Sequence, residues 1–167
     1  HLPHQNVSNY PFTIQIGDPN TIAELTKITT VADFRRRDLA AGGQGAPIVP
    51  AFHRKIFFSA ENDRVIINIG GMSNITVLKK NGDISGHDTG PGNVLMDLWI
   101  QQNLGHPYDK DGAWANSGDV AEDLMTILLD EPYFQLRPPK STGRELFNQH
   151  WLNRKLTEIG KVIAPEH

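Results

Sequence analysis

The sequence predicts an α/β protein in which a mixed sheet is flanked by helices. Three observations support this fold class. A strand pattern, a helix pattern and a second strand pattern follow one another over residues 12–33, as in a βαβ unit with parallel strands. Apolar and polar residues then alternate over residues 64–88 around glycine-containing turns, as in an antiparallel meander. Helical patterns dominate the rest of the chain.

The first part of the chain alternates short strand patterns with helix patterns. FTIQI (12–16) alternates apolar and polar residues and predicts a strand. A helix follows, with Asp18 as its N-cap and Pro19 in its first turn. The β-branched residues of TTVAD (29–33) predict a second strand. IVPAFHRKIFF (48–58) has the apolar spacing of a helix that packs on the sheet.

A polar segment, SAENDR (59–64), marks the predicted domain boundary. Residues 1–60 would form the C-terminal part of a first domain, and residues 61–167 the N-terminal part of a second. In the second part, RVIINIG, NITVLKK and ISGHD predict three antiparallel strands. The Asn-Gly dipeptide at 81–82 predicts the turn between the last two, because this pair favours tight hairpins.

Three helices are predicted after the meander, and two of them are expected to begin with a capping box. The helices are residues 92–104, residues 119–129 and a segment from residue 142 onward. The boxes pair Asp119 with Glu122 and Thr142 with Glu145.

Composition excludes several classes of protein. The chain is 38% hydrophobic and 21% charged, which is typical of a globular protein, and it contains no run long enough to span a bilayer. Its net charge of −3 gives no general attraction to nucleic acid. It has no cysteine, and its seven histidines lack zinc-binding spacing, so no metal ligand is assigned. Since it begins with His1, we expect a piece of a longer protein.

The segment NIGGMSNIT is a candidate anion-binding loop. Gly70 and Gly71 stand at the turn between two predicted strands, where backbone N–H groups can approach an anion closely. Ser73 and Asn74 can add side-chain donors. The alternative is a hairpin that uses glycine for its positive φ angles. Neither a Walker motif nor a dinucleotide fingerprint is present.

The segment DTGPGN is the candidate catalytic corner. It places Asp88 at the end of a strand, before a glycine turn and a helix, where α/β proteins often carry their chemistry. A carboxylate there can accept a proton from a water or hydroxyl as a general base. An Asx-turn, in which the carboxylate bonds its own backbone, explains the same residues equally well.

Two basic segments are further candidates. DFRRRD (33–38) carries three consecutive arginines, of which at most two can face one site, and arginine binds carboxylates and phosphates in a bidentate way. The alternative is a solvated patch paired with Asp33 and Asp38. PPKSTGR (138–144) can bind an anion at a helix start, although a capped helix after a proline stop explains it as well.

Taken in order, these motifs resemble those of the anhydro-N-acetylmuramic acid kinases. The resemblance covers nearly the whole chain through QIGDPNTIAELTKITTVADFRRRDLAAGGQGAPIVPAFH, NIGGMSNITVL, DTGPGNVLMD, YDKDGAWANSG and PPKSTGRELFN. It implies the fold of the sugar kinase, Hsp70 and actin-like superfamily, with two ribonuclease-H-like domains around a cleft. It also implies a bacterial cytoplasmic enzyme of peptidoglycan recycling.

The resemblance implies a reaction and its residues. Water opens the 1,6-anhydro ring of anhydro-N-acetylmuramic acid, and ATP with Mg²⁺ phosphorylates O6, giving N-acetylmuramic acid 6-phosphate. Asp88 would be the base that activates the water. Gly70, Gly71, Ser73 and Asn74 would form the second phosphate loop of the superfamily.

The resemblance also implies a substrate-binding set and partners. The substrate-binding residues would be Asp33, Arg35, Thr89, Gly90 and Asn93. Arg35 is our choice for the contact with the lactyl carboxylate. The partners would be the anhydrosugar and ATP, with a homodimer in the full-length protein and no role for nucleic acid or membrane.

One departure from the family pattern bears on activity. The glycine- and serine-rich first phosphate loop and the C-terminal segments that enclose adenosine are not in this sequence, so we expect the piece alone to bind ATP poorly and to turn over nothing. Two other functions stay open. A glycoside hydrolase would pair Asp88 with another carboxylate, such as Asp33. A sugar- or nucleotide-binding module would have lost catalysis.

Overall fold

The computed structural model describes residues 2–4 and 12–167. These residues form two compact units. Unit 1 contains the described residues up to Ile66, together with Thr76–His87 and Pro139–Ser141, and unit 2 contains Ile67–Ile75, Asp88–Pro138 and Thr142–His167. The domain boundary predicted near residue 60 stays a prediction.

Within the described residues, five strands form two sheets. β1 (Leu2–His4) pairs antiparallel with β2 (Phe12–Ile14). β3 (Arg64–Ile69), β4 (Met72–Leu78) and β5 (Ile84–Pro91) form an antiparallel sheet in the order β3-β4-β5. The predicted first strand and the predicted meander are therefore confirmed, as is a mixed α/β composition.

Seven α-helices occur in the part of the chain that the structure describes. Unit 1 contains α1 (Pro19–Thr26), α2 (Phe34–Ala40) and α3 (Pro50–Phe57). Unit 2 contains α4 (Val94–Leu104), α5 (Glu122–Leu129), α6 (Pro132–Gln135) and α7 (Gln149–Glu158). No helix in the described ranges has both the length and the apolar character needed to cross a bilayer.

The start of α1 follows from its first residues. The Asp18 carboxylate accepts hydrogen bonds from the backbone N–H groups of Asn20 at 3.2 Å and Thr21 at 3.0 Å, and Pro19 occupies the first turn. The cap satisfies two N–H groups that have no partner within the helix. The prediction for this helix is confirmed.

The predicted strand over residues 29–33 is wrong. This segment has no regular structure, and the side chain of Val31 is 71% exposed. β-branched residues favour a strand only where a neighbouring strand pairs with them, and no described strand does so here. The expected parallel βαβ unit is therefore not formed by the described residues, whose sheets are antiparallel.

Both predicted capping boxes are wrong. α5 begins after Ala121 without a side-chain cap, while the N–H of Asp119 donates to Nδ1 of His167 at 2.7 Å. α7 begins only at Gln149, where the side-chain oxygen of Asn148 accepts from the N–H of Trp151 at 3.1 Å. Asn148 satisfies the first turn of α7, so this helix needs no cap at residue 142.

The core of unit 2 is an aromatic cluster around a fully buried Phe147. The Phe147 ring meets that of Trp151 edge to face with centroids 5.1 Å apart, and it stacks on Phe134 at 5.7 Å. Such ring pairs add stability beyond the area they bury. The indole N–H of Trp151 donates to the buried carboxylate of Glu131 at 2.7 Å, so the polar edge of the ring is satisfied.

Unit 1 buries a polar pair beside its apolar residues. Thr76 is fully buried, and its hydroxyl lies 2.8 Å from Nδ1 of His53, which is 9% exposed. Leu78 of the same strand is 1% exposed. A buried imidazole needs such a partner because an unpaired polar group away from water is costly.

Candidate functional site

Asp88 lies in β5 and is 5% exposed. Its Oδ2 accepts a hydrogen bond from the backbone N–H of Thr142 at 3.1 Å, across 54 positions of the sequence. Its backbone carbonyl accepts from the hydroxyl of Tyr133 at 2.8 Å. The contact with Thr142 is tertiary, which is a different arrangement from an Asx-turn. Two separate groups therefore fix the position of this residue within unit 2.

Burial decides what the Asp88 carboxylate can do. An ionised carboxylate away from bulk water needs hydrogen-bond donors, and the Thr142 N–H is one of them. Because a carboxylate offers about four lone-pair sites, one that donors orient in this way can still accept a proton from a water or hydroxyl that reaches it. The arrangement is compatible with a general base whose orientation is set by the protein.

The Tyr133 hydroxyl is held in its donor form. Burial, followed by the negative charges of Asp88 and Glu145, raises the pKa of Tyr133 above its ordinary value of 10.0. A protonated phenol donates to the Asp88 carbonyl throughout the neutral pH range.

The glycine hairpin between β3 and β4 is bonded to the start of α4. The carbonyl of Gly70 accepts from the N–H of Asn93 at 2.9 Å. The carbonyl of Gly71 accepts from the N–H groups of Gly92 at 2.9 Å and Val94 at 3.3 Å. These bonds satisfy N–H groups that the first turn of a helix cannot satisfy itself.

These hydrogen bonds also fix the direction of the N–H groups in the two hairpin peptides. In a trans peptide, the N–H points away from the C=O. Because the carbonyls of Gly70 and Gly71 point to the start of α4, the N–H groups of Gly71 and Met72 point to the other side of the hairpin. The N–H groups of Gly92 and Asn93 are already used, so they would not serve an anion at this turn.

The predicted alternative for the glycine pair, a need for positive φ, is wrong. Neither Gly70 nor Gly71 has a left-handed φ. A Cβ added at Gly70 would lie 3.7 Å from its nearest neighbour, the carbonyl oxygen of Met72, and one at Gly71 would lie 3.9 Å from Asn93 and Val94. Neither backbone conformation nor packing among the described residues requires glycine here. Close approach of a ligand to the backbone would require it.

Gly92, by contrast, is required by packing. A Cβ there would lie 2.1 Å from the carbonyl oxygen of Gly70 and 2.8 Å from Oγ of Ser73. The sequence reasoning did not select this residue, although it is the second glycine of DTGPGN.

Unit 2 brings together several other candidates. The hydroxyl of Thr89 donates to the backbone carbonyl of Ser73 at 3.1 Å. Gly90 is buried and packs closely against the ring of Phe134. Asn93 is exposed at the start of α4, and its side chain makes no capping bond. Successive residues of a strand face opposite sides, so Thr89 and Asp88 present their side chains to different faces of β5.

The Asn74 side chain carries a buried polar atom that the described part of the chain leaves unsatisfied. Its side-chain oxygen is buried and finds no hydrogen-bond partner among the described residues. A buried acceptor of this kind is costly unless a ligand or water satisfies it.

Asp33 and Arg35 belong to unit 1. Nη1 of Arg35 donates to the carbonyl of Gly45 at 2.6 Å, and the N–H of Gly45 donates to Oδ2 of Asp38 at 2.7 Å. Arg35 thus fastens the glycine loop that follows α2. Asp33 precedes α2 with a left-handed φ of 66° and forms an exposed ion pair of 3.5 Å with Arg36. The predicted alternative, a solvated arginine paired with Asp33, is therefore found for Arg36.

Two residues that contact Asp88, Tyr133 and Thr142, are not among the predicted site residues. No sequence motif marks Tyr133, which the structure places in the short helix α6. For Thr142, the segment PPKSTGR predicts an anion site at a helix start or a helix cap, and neither includes a contact with Asp88. Both contacts join residues far apart in sequence, which local patterns do not report.

The chain matches the family model described as "Anhydro-N-acetylmuramic acid kinase" over residues 1–166. Curated proteins of that name are 59% identical over 156 residues in Saccharophagus degradans, 59% over 163 in Pasteurella multocida and 56% over 163 in Shewanella pealeana. These alignments cover 93%, 98% and 97% of this chain, but 42%, 43% and 43% of those relatives. The chain therefore spans less than half the length of the curated relatives it matches.

Proposed function

Because this chain belongs to the anhydro-N-acetylmuramic acid kinase family, we propose that it supplies the catalytic base and a phosphate loop of such an enzyme. The enzyme hydrolyses the 1,6-anhydro ring of anhydro-N-acetylmuramic acid and phosphorylates O6, giving N-acetylmuramic acid 6-phosphate. The observation that carries the proposal is the buried Asp88 carboxylate, which is held by the N–H of Thr142.

Asp88 acts on the water in this proposal. Its carboxylate takes a proton from water as the water oxygen bonds to C1 of the sugar. The C1–O6 bond breaks, and its electron pair goes to O6, which attacks the γ-phosphorus while the bond to the leaving ADP breaks. Phosphoryl transfer then depends mainly on alignment and on stabilisation of charge.

The glycine hairpin fits a nucleotide phosphate. Gly70 and Gly71 admit close approach, and the N–H groups of Gly71 and Met72 point away from the start of α4. Ser73 and Asn74 lie next in the sequence, and the Asn74 side-chain oxygen can accept a hydrogen bond from a ligand hydroxyl. When bound there, ATP supplies the phosphoryl group.

The described residues offer no dedicated metal cage, since no group of three or more His, Asp or Glu side chains among them is placed to hold an ion. Mg²⁺ usually binds kinases through substrate phosphates, water and one or two carboxylates. The ion would therefore arrive with ATP, and we assign it no protein ligand.

The remaining candidates complete the substrate site in this proposal. Arg35 uses one of its five N–H donors on Gly45, and the others can bind the lactyl carboxylate of the sugar. The other predicted sugar contacts are Asp33, Gly90, Asn93 and Thr89, of which Thr89 would need to act through its backbone because its side chain faces away from that of Asp88. The ribonuclease-H-like, two-domain fold, the full-length homodimer and the bacterial cytoplasm belong to the same proposal.

The test uses a chimera in which this chain replaces the matching stretch of the Pasteurella multocida relative. Formation of the sugar 6-phosphate is followed by phosphorus NMR. Asp88→Asn should lower kcat by roughly a hundredfold or more, because general-base catalysis contributes that much. Asp130→Asn, at an exposed carboxylate after α5, is the matched control and should retain activity.

Two outcomes would contradict the proposal. Full activity of the Asp88→Asn chimera would show that Asp88 is not the base. Ring opening by the unsubstituted chimera without ATP would indicate a hydrolase instead.

A further inference from the structure

The hydroxyl of Thr142 is buried and unused. The residue is 6% exposed, and its Oγ1 has no hydrogen-bond partner among the described residues. Leaving a hydroxyl unsatisfied away from water is costly, so such a group calls for an explanation.

A structural role does not explain this hydroxyl. Thr142 lies outside any helix, and α7 begins at Gln149 with Asn148 as its cap. The turn that follows Thr142 is closed by the carbonyl of Gly143, which accepts from the N–H groups of Leu146 and Phe147. The hydroxyl takes part in neither arrangement.

The position of the hydroxyl links it to Asp88. The N–H of Thr142 lies 3.1 Å from Oδ2 of Asp88. Three covalent bonds separate that nitrogen from Oγ1, so the hydroxyl lies within about 7 Å of the carboxylate oxygen. A single water that bonds to both groups at ordinary lengths spans roughly 5 to 6 Å.

We propose that Thr142 positions the water that Asp88 deprotonates. The Thr142 N–H orients the carboxylate, and the Thr142 hydroxyl makes the second hydrogen bond to the water. This inference rests on the proposed function, since it needs a water that attacks the sugar. One residue thereby aligns both the base and its target, which is what an ordered hydrolytic attack requires.

The test compares Thr142→Val with Thr142→Ser in the chimera. Valine keeps the shape and the backbone N–H but removes the hydroxyl, and serine keeps the hydroxyl. We expect Val to lower kcat roughly tenfold with little change in the KM for the anhydrosugar, because a lost bond to the attacking water affects the reaction more than sugar binding. Ser should restore most of the rate.

Stability measurements separate this role from a structural one. In the 167-residue chain, Thr142→Val should leave the thermal unfolding midpoint unchanged or higher, because valine removes an unsatisfied buried hydroxyl. A midpoint lowered by Val and restored by Ser would show that the hydroxyl stabilises the fold instead, and would overturn the inference.

The two proposals fail in different ways. If the unsubstituted chimera is active, Asp88→Asn is inactive and Thr142→Val retains the full rate, only the role of Thr142 is wrong. If the unsubstituted chimera is inactive, or if Asp88→Asn retains full activity, the proposed function fails and this inference fails with it.

Discussion

The hydroxyl of Tyr133 is a single group whose removal tests the support of Asp88. Tyr133→Phe takes away the donor to the buried Asp88 carbonyl and changes nothing else in the ring cluster. We expect the free energy of unfolding to fall by about 1–3 kcal/mol, because a buried acceptor loses its partner. Denaturant titration measures this, and Tyr108→Phe, at a 54% exposed ring, should have little effect.

The raised pKa of Tyr133 predicts that the free energy of unfolding depends on pH. Because burial and the nearby carboxylates raise the pKa of Tyr133, its contribution to stability is fully present below the ordinary value of 10.0. It is lost as the pH rises from there through the folded-state pKa. The difference in unfolding free energy between the natural chain and Tyr133→Phe should therefore be constant from pH 6 to 9 and shrink above pH 10. A difference that grows above pH 10 would contradict the assignment.

Gly71 in the hairpin and Gly92, which packs against it, form a matched pair. Gly92→Ala places a Cβ 2.1 Å from the carbonyl oxygen of Gly70, and we expect it to destabilise the chain by about 2 kcal/mol or more. Gly71→Ala meets its nearest atoms at 3.9 Å and should leave unfolding nearly unchanged. In the chimera, however, Gly71→Ala should raise the KM for ATP. If it weakens folding but not ATP use, this hairpin is not the phosphate loop.

At the scale of the elements, the N-cap of α1 is a carboxylate, that of Asp18, so its strength depends on pH. The pKa of Asp18 is lowered by hydrogen bonds from the Thr21 side chain and then from the backbone of Thr21 and Asn20. The cap is therefore at full strength above the ordinary value of 3.8 and is lost as the pH falls through the folded-state pKa.

The expected result is a helix start that weakens in acid. Asp18→Ser keeps a cap that does not titrate, so its helical circular dichroism should change less between pH 7 and pH 3. Asp18→Ala should lack the cap at both values. Equal acid sensitivity of the natural chain and the serine variant would refute the role of the carboxylate.

The elements that the sequence predicted correctly depend on local chemistry. Asp18 and Pro19 determine the start of α1 within a few residues. The Asn-Gly pair allows the tight turn between β4 and β5, where Gly82 has a φ of +95°. Such signals need no knowledge of the rest of the fold.

The elements that it predicted incorrectly depend on distant partners. Residues 29–33 have strand-forming side chains but no described strand to pair with. The expected helix start at Thr142 is absent, and its N–H bonds Asp88 instead. The site divides in the same way: Gly70, Gly71 and Asp88 carry motifs that the sequence shows, whereas Tyr133 and Thr142 join the site only through folding.

At the scale of the whole molecule, the length of the chain relative to its curated relatives bears most on activity. The chain corresponds to 42–43% of its curated relatives. Ring opening and phosphoryl transfer need base, water, sugar and nucleotide held together, and the rate depends steeply on that alignment.

We therefore expect the 167-residue chain alone to form no sugar 6-phosphate from anhydrosugar and ATP, whereas the chimera does. The two proteins are compared at equal concentration by phosphorus NMR. Turnover by the chain alone, lost on Asp88→Asn, would show that the residues present here are sufficient for catalysis.

The ring cluster of unit 2 has a practical consequence. Trp151 touches Phe147, which in turn meets Tyr133, whose hydroxyl holds the Asp88 carbonyl. We therefore expect movement of that carbonyl to change the surroundings of an indole that fluoresces. With Trp99 and Trp114 replaced by phenylalanine, the emission of Trp151 should serve as a label-free optical signal for events beside Asp88.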